Sequence, residues 1–155
     1  MRHRFMLPLS CLAMSGQSAL AQQQAGSIDA AAMRAGFAEV AGNVTKSAEM
    51  VPADKYGYRP VGTVRTFAQQ IAHIADAHNY YCSRATGRNV EWSESAEKGA
   101  LDKATVLRKL KESVDACNAN FAGTPPMMAG ILHSTLHYGN IITYLRMMGM
   151  VPPSS

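Results

Sequence analysis

Residues 66–84 read TFAQQIAHIADAHNYYCSR. Thr66 and Gln69 stand in capping-box register, and Phe67, Ile71, Ile74 and Tyr81 return behind them at helical spacing. The spacing predicts a helix from about Thr66 to Arg84 with an apolar stripe that must pack on something. From Ala85 to Leu101 the chain turns polar and holds Gly87, Gly99, Trp92 and several charges. That stretch is far longer than the roughly 2–8 residues that join helices in a bundle. A link of such length can run the length of a bundle and leave its flanking helices parallel.

On the far side of the link, Asp102 opens a third helix with Val106, Leu110, Val114, Cys117 and Phe121 on one face. Gly123-Thr124-Pro125-Pro126 ends it, and a fourth helix runs from about Met127 to Met148. Gly149 is placed just past its end, and Pro152-Pro153 prevents continuation. Upstream, Val51 to Arg65 carries Pro52, Gly57, Pro60 and Gly62 and reads as a connector. Before it, Met33, Phe37, Val40 and Val44 mark a first helix, capped by Ser27 with Asp29 in its first turn and fading near Glu49. No stretch alternates with period two, and there is no internal repeat. The expectation is an all-α four-helix bundle over residues 27–155 with a long crossover between helices 2 and 3.

Residues 1–24, MRHRFMLPLSCLAMSGQSALAQQQ, read as an address. Arg2 and Arg4 precede a mostly apolar run, and Ala19-Leu20-Ala21 has the small-x-small form of a signal-peptidase site. We expect a signal peptide over residues 1–21 and a periplasmic or secreted protein; the alternative is a short helix that stays attached. Cleavage after Ala21 removes Arg2 and Arg4, so the formal charge falls from +4 to +2. It leaves Cys82 and Cys117 as the remaining cysteines, in an oxidising compartment that invites a disulfide between them. Two buried free thiols are the competing reading.

The composition excludes several classes. At 47% hydrophobic, the 155 residues are not a disordered chain, and they suffice for one domain with a real core. No run of about 18 apolar residues offers a stable membrane span. No basic stripe is interleaved with aromatics, so nucleic acid is rejected as a partner. Homodimerisation through an apolar strip stays open, with no face located by the sequence.

The chemistry lies in the histidines. His133 and His137 stand one turn apart on the fourth helix, on a face shared with Asn140 and Tyr144. Two imidazoles so placed can chelate one divalent ion. No Glu follows His133, so the zincin metalloprotease motif is absent. A third ligand must come from another helix, and His73 and His78 are both candidates. By periodicity His78 lies nearer the centre of the apolar stripe, while His73 lies on its flank. Asp76, nearly opposite that stripe, reads as a solvated surface charge. Arg59 and Arg65 flank the start of the second helix and offer an anion site, against the commoner reading of solvated arginines.

Several of these residues together carry a resemblance. They are Ala72-His73-Ile74-Ala75-Asp76-Ala77, Tyr80-Tyr81-Cys82, His133-x-x-x-His137-Tyr138-Gly139-Asn140, and the closing Tyr144-Leu145-Arg146 with Gly149-Met150-Val151-Pro152-Pro153. Their order and spacing, with Tyr56-x-Tyr58-Arg59-Pro60 upstream, resemble the DinB-like (DNA-damage-inducible) family from roughly Ala48 onward. The resemblance implies a four-helix bundle and one divalent metal held by three histidines. Carried over by position, these are His73, His133 and His137, so the resemblance selects His73 over His78. Relatives commonly have Gln where this chain has Asn140.

Three neutral imidazoles leave an ion its full charge and an open position, the arrangement of a catalytic site. Such an ion could activate a water or the thiol of a small cofactor. Imidazole suits several metals; zinc is the default, with nickel, iron or manganese as alternatives. Tyr80, Asn140 and Tyr144 are candidate cavity polars, each with a core role as its plain alternative. The expectation is an exported, metal-dependent hydrolase or thiol transferase acting on a small molecule. The alternative is a non-catalytic binding or stress-response module whose metal braces the bundle.

Overall fold

The structure, a computed structural model, describes residues 29–155, so the expected signal peptide and the Ser27 cap lie outside it. Among the described residues there are four helices: α1 (Ala30–Met50), α2 (Phe67–Ala85), α3 (Lys103–Ala119) and α4 (Pro125–Met147). A single 3-10 turn, Ala53–Lys55, interrupts the first connector, and no strand occurs among the described residues. None of these helices is long and apolar enough to cross a membrane.

Local chemistry sets most boundaries. Asp29, not part of the first turn as expected, is itself the cap of α1 and accepts from the Ala31 N–H. Thr66 and Gln69 form the expected capping box of α2, each side chain bonding the other's backbone N–H. Asp102 caps α3 through the Thr105 N–H. Pro125 and Pro126 begin α4 rather than separate it from α3. Proline suits a first helical turn, where its missing N–H would have had no partner. At the other end Gly149 takes a positive φ of 76°, and the Met150 N–H returns to the Leu145 carbonyl.

Helix directions follow from paired contacts. Cys82 is joined to Cys117, and His78 meets Ser113, so α2 and α3 advance together and are parallel. His78 meets Ser134 while His73 meets His133 and Gln70 meets His137, so α2 and α4 run in opposite directions. The Lys103 ammonium donates to the Glu49 and Val51 carbonyls, which ties the start of α3 to the end of α1. α2 packs on α3 and α4, and α1 packs on the same two helices from the opposite side. Phe67, Ile71, Ile74, Leu110, Ile141 and Leu145 are fully buried between them.

Residues 86–102 make the parallel arrangement possible by returning along α2. Arg88 bonds Ser83, Trp92 packs on Tyr80, and Ala96 reaches Asp76. The link therefore covers the flank of α2 that carries Asp76 and His73.

Candidate metal centre

His73 comes from α2, and His133 and His137 come from one face of α4. The antiparallel crossing brings Nε2 of His133 to 3.2 Å from Nε2 of His73, and one ring nitrogen of each of the three lies within 4.8 Å of the others. Two nitrogens held about 2.0–2.1 Å from one tetrahedral cation stand about 3.3–3.4 Å apart, so the residues present fit such an ion.

The outer nitrogens of two rings are occupied. His73 Nδ1 lies 3.0 Å from Glu97 Oε2, and His137 Nδ1 lies 3.1 Å from Gln70 Oε1. Both oxygens accept, so the rings donate from Nδ1 and turn the Nε2 lone pairs inward. Burial and the nearby Arg65 charge lower the His73 pKa, with Glu97 opposing them. Burial and His73 lower that of His133. Burial and His133 push His137 down to about 4. All three rings are therefore neutral at neutral pH, the form that binds metal.

No motif in the sequence marks Glu97 or Gln70. Gln70 precedes His73 by one helical turn, a spacing that could have found it. Glu97 has no such signal, because it comes from the crossover. Its second oxygen accepts from Arg65 Nε at 2.7 Å, so Arg65 faces a carboxylate of its own chain. Arg59 donates to the Gly62 carbonyl.

The structure corrects the reading of Asp76, which is 3% exposed. Its carboxylate accepts from the Ala96 N–H at 2.9 Å and the Glu97 N–H at 2.9 Å. The crossover lies on the side of α2 away from the apolar stripe, where periodicity alone foresees water. Asp76 thus holds the backbone of the residue that holds His73.

The aromatic surroundings come from α2 and the crossover. The Trp92 ring centroid stands 5.5 Å from that of His73 and 6.2 Å from that of His133. Tyr80, an expected lining residue, packs on Trp92 at 5.4 Å, and Tyr81 packs on His133 at 5.6 Å. Tyr81 gets this close because residue 130 is glycine: a Cβ there would lie 2.8 Å from the Tyr81 Cβ. The other two expected lining residues are placed differently. Asn140 is exposed, and Tyr144 is buried with its hydroxyl on the Arg65 carbonyl at 2.8 Å.

His78 lies apart from the triad. It is 1% exposed, with Nδ1 3.3 Å from Ser113 Oγ and Nε2 3.1 Å from Ser134 Oγ. Both nitrogens are satisfied inside the core, and burial pushes its pKa down to about 4. Cys82 and Cys117, on the next turn of α2 and α3, form a disulfide.

A family model described as the DinB superfamily matches residues 37–151, which include the three clustered histidines, Gln70, Asp76 and Glu97. No curated protein and no solved structure matches the chain.

Proposed function

Because the chain belongs to the DinB superfamily, we propose that it holds one divalent cation through His73, His133 and His137 and acts as an exported metal-dependent hydrolase on a small molecule. The observation that carries this reading is the convergence of three ring nitrogens within 4.8 Å from two separate helices. Zinc is the proposed ion, since a set of neutral imidazoles suits it well.

A divalent cation in such a site supplies Lewis acidity, polarising a substrate oxygen and lowering the pKa of an attacking group. The chain's own residues prepare the place. Glu97 and Gln70 fix the tautomers of His73 and His137, and burial keeps the rings unprotonated. The ligands carry no charge, so a cation keeps its full electrophilicity; the carboxylate that touches a ligand, Glu97, is shared with Arg65.

Export rests on the leader-like residues 1–21 and is supported by the Cys82–Cys117 disulfide, which suits an oxidising compartment. The same setting favours hydrolysis over thiol transfer, because the common small thiol cofactors belong to the reducing cytosol.

Metal analysis of the purified protein tests the proposal. One divalent ion per chain is expected, lost on His133→Ala. A protein without stoichiometric metal, whose uptake and stability ignore His133→Ala, would sink it. Ester and phosphoester substrates assayed with and without small thiols separate the two reactions. In a cobalt-substituted sample, a spectral change on adding azide marks an open coordination position. Its absence, with a lowered melting temperature on metal removal, supports the bracing role that a link between α2 and α4 would also provide.

A further inference from the structure

The crossover sets an indole where the core does not need one. Trp92 is 38% exposed and is not a buried member of either core cluster. Its ring neighbours are His73, His133 and Tyr80. An aromatic ring left this exposed keeps much of its apolar face in water, which is unfavourable unless something covers it. Tyr80 and Tyr81 lie edge-on to each other at 5.1 Å, so the wall continues from Trp92 through Tyr80 to Tyr81 and back to His133. Both tyrosines are only partly buried, and Gly130 leaves the space that admits Tyr81. Trp92 and Tyr81 thus flank two of the three clustered imidazoles on the side formed by the crossover and the second half of α2, and Tyr80 joins these two aromatic side chains.

We propose that this wall selects small molecules with an aromatic body and a metal-coordinating head, the body lying on Trp92 and Tyr80 while the head engages the cation. The inference rests on the metal reading above and specifies its substrate class. Trp92 is the specificity-determining residue: it touches the part of the ligand that does not react.

Benzohydroxamate and acetohydroxamate test the assignment, because they share one chelating head and differ in the aromatic body. The full-length protein is first titrated with zinc, then with each probe, by calorimetry. Wild type is expected to bind benzohydroxamate about tenfold more tightly than acetohydroxamate, the scale of a ring-stacking contribution. Trp92→Ala should erase that preference, so that the two probes bind the zinc-loaded variant within about twofold of each other, and Trp92→Phe should retain most of it. Equal affinities in wild type, or a Trp92→Ala loss of equal size for both probes, overturns the assignment while the metal centre stands. Failure to take up zinc, seen before any probe is added, overturns both.

Discussion

Glu97 meets His73 across a sequence separation of 24 residues, its Oε2 3.0 Å from the Nδ1 of the ring. The contact exists because the crossover returns along α2 instead of leaving the bundle. It makes the orientation of one candidate ligand depend on a segment without helix or strand.

Replacing Glu97 should therefore weaken metal binding more than it weakens the fold. Glu97→Gln is expected to cost roughly tenfold in zinc affinity and Glu97→Ala up to about 100-fold, the range seen for such supporting groups. The metal-free Glu97→Gln protein should change little in stability, since the amide oxygen can still accept from His73 Nδ1 and the Arg65–Glu97 pair, with Arg65 35% exposed, contributes no more than about 1 kcal/mol. Competition with a chromophoric chelator measures the first effect and urea unfolding the second. Unchanged zinc affinity in both variants would remove Glu97 from the site.

Asp76 should act one step further back. Asp76→Ala leaves the Ala96 N–H, in a residue 3% exposed, without its acceptor. An orphaned buried donor costs about 1–3 kcal/mol, and the crossover should loosen first. Trp92 is the one tryptophan of the chain and lies on that crossover, so its emission should shift to the red in the variant while helical circular dichroism persists. An unmoved spectrum would show that the link is held by something else.

These two residues also mark where the sequence stops being readable. Thr66, Asp102 and Gly149 act on backbone groups within a few residues of themselves, so local pattern located three helix ends. The same logic does not assign Pro125 and Pro126 to one helix or the other, because a proline pair breaks the preceding helix and suits the first turn of the next equally well. The long polar link betrayed the parallel pairing of α2 and α3 by its length alone. What it covers was not legible, since the position of Asp76 on its helix says nothing about a segment twenty residues away that lies over it. Periodicity also placed His78 at the centre of the stripe, and there it sits, in the core between two serines rather than in the triad. Being central to an apolar face is a reason for a histidine to be enclosed, not to meet a cation.

The disulfide closes a loop of 35 residues that contains the entire crossover. Chain-entropy arguments assign such a loop about 3–4 kcal/mol, through restriction of the unfolded chain. Reduction, or Cys82→Ala with Cys117→Ala, should lower stability by that order without displacing His73, which lies more than two turns away on α2. Urea unfolding with and without a phosphine reductant reads the loss, and zinc titration of the reduced protein checks the site. A stability that ignores the reductant would contradict the linkage.

His78 should make the metal-free protein sensitive to mild acid. Ser113 Oγ already donates to the Leu110 carbonyl at 2.7 Å, so it accepts from His78 Nδ1–H, and His78 Nε2 accepts from the Ser134 hydroxyl. A second proton on Nε2 would destroy that acceptor and leave a charge enclosed by the core. Burial first, then the neighbouring His133, accordingly holds the folded pKa at about 4, below the ordinary 6.5. The unfolded chain takes up the proton near pH 6.5 and the folded one does not, so stability is complete above that pH. It should fall by about 3 kcal/mol as the pH drops toward 4, where the folded ring begins to protonate as well. His137, also lowered to about 4 but partly open to solvent, adds to the slope in the same direction by a smaller amount. Urea titrations of the metal-free protein between pH 7.5 and 4.5 give the slope. His78→Gln should be less stable than wild type at pH 7.5 yet lose much less on acidification, whereas an unchanged slope in that variant would assign the acid sensitivity to the triad alone.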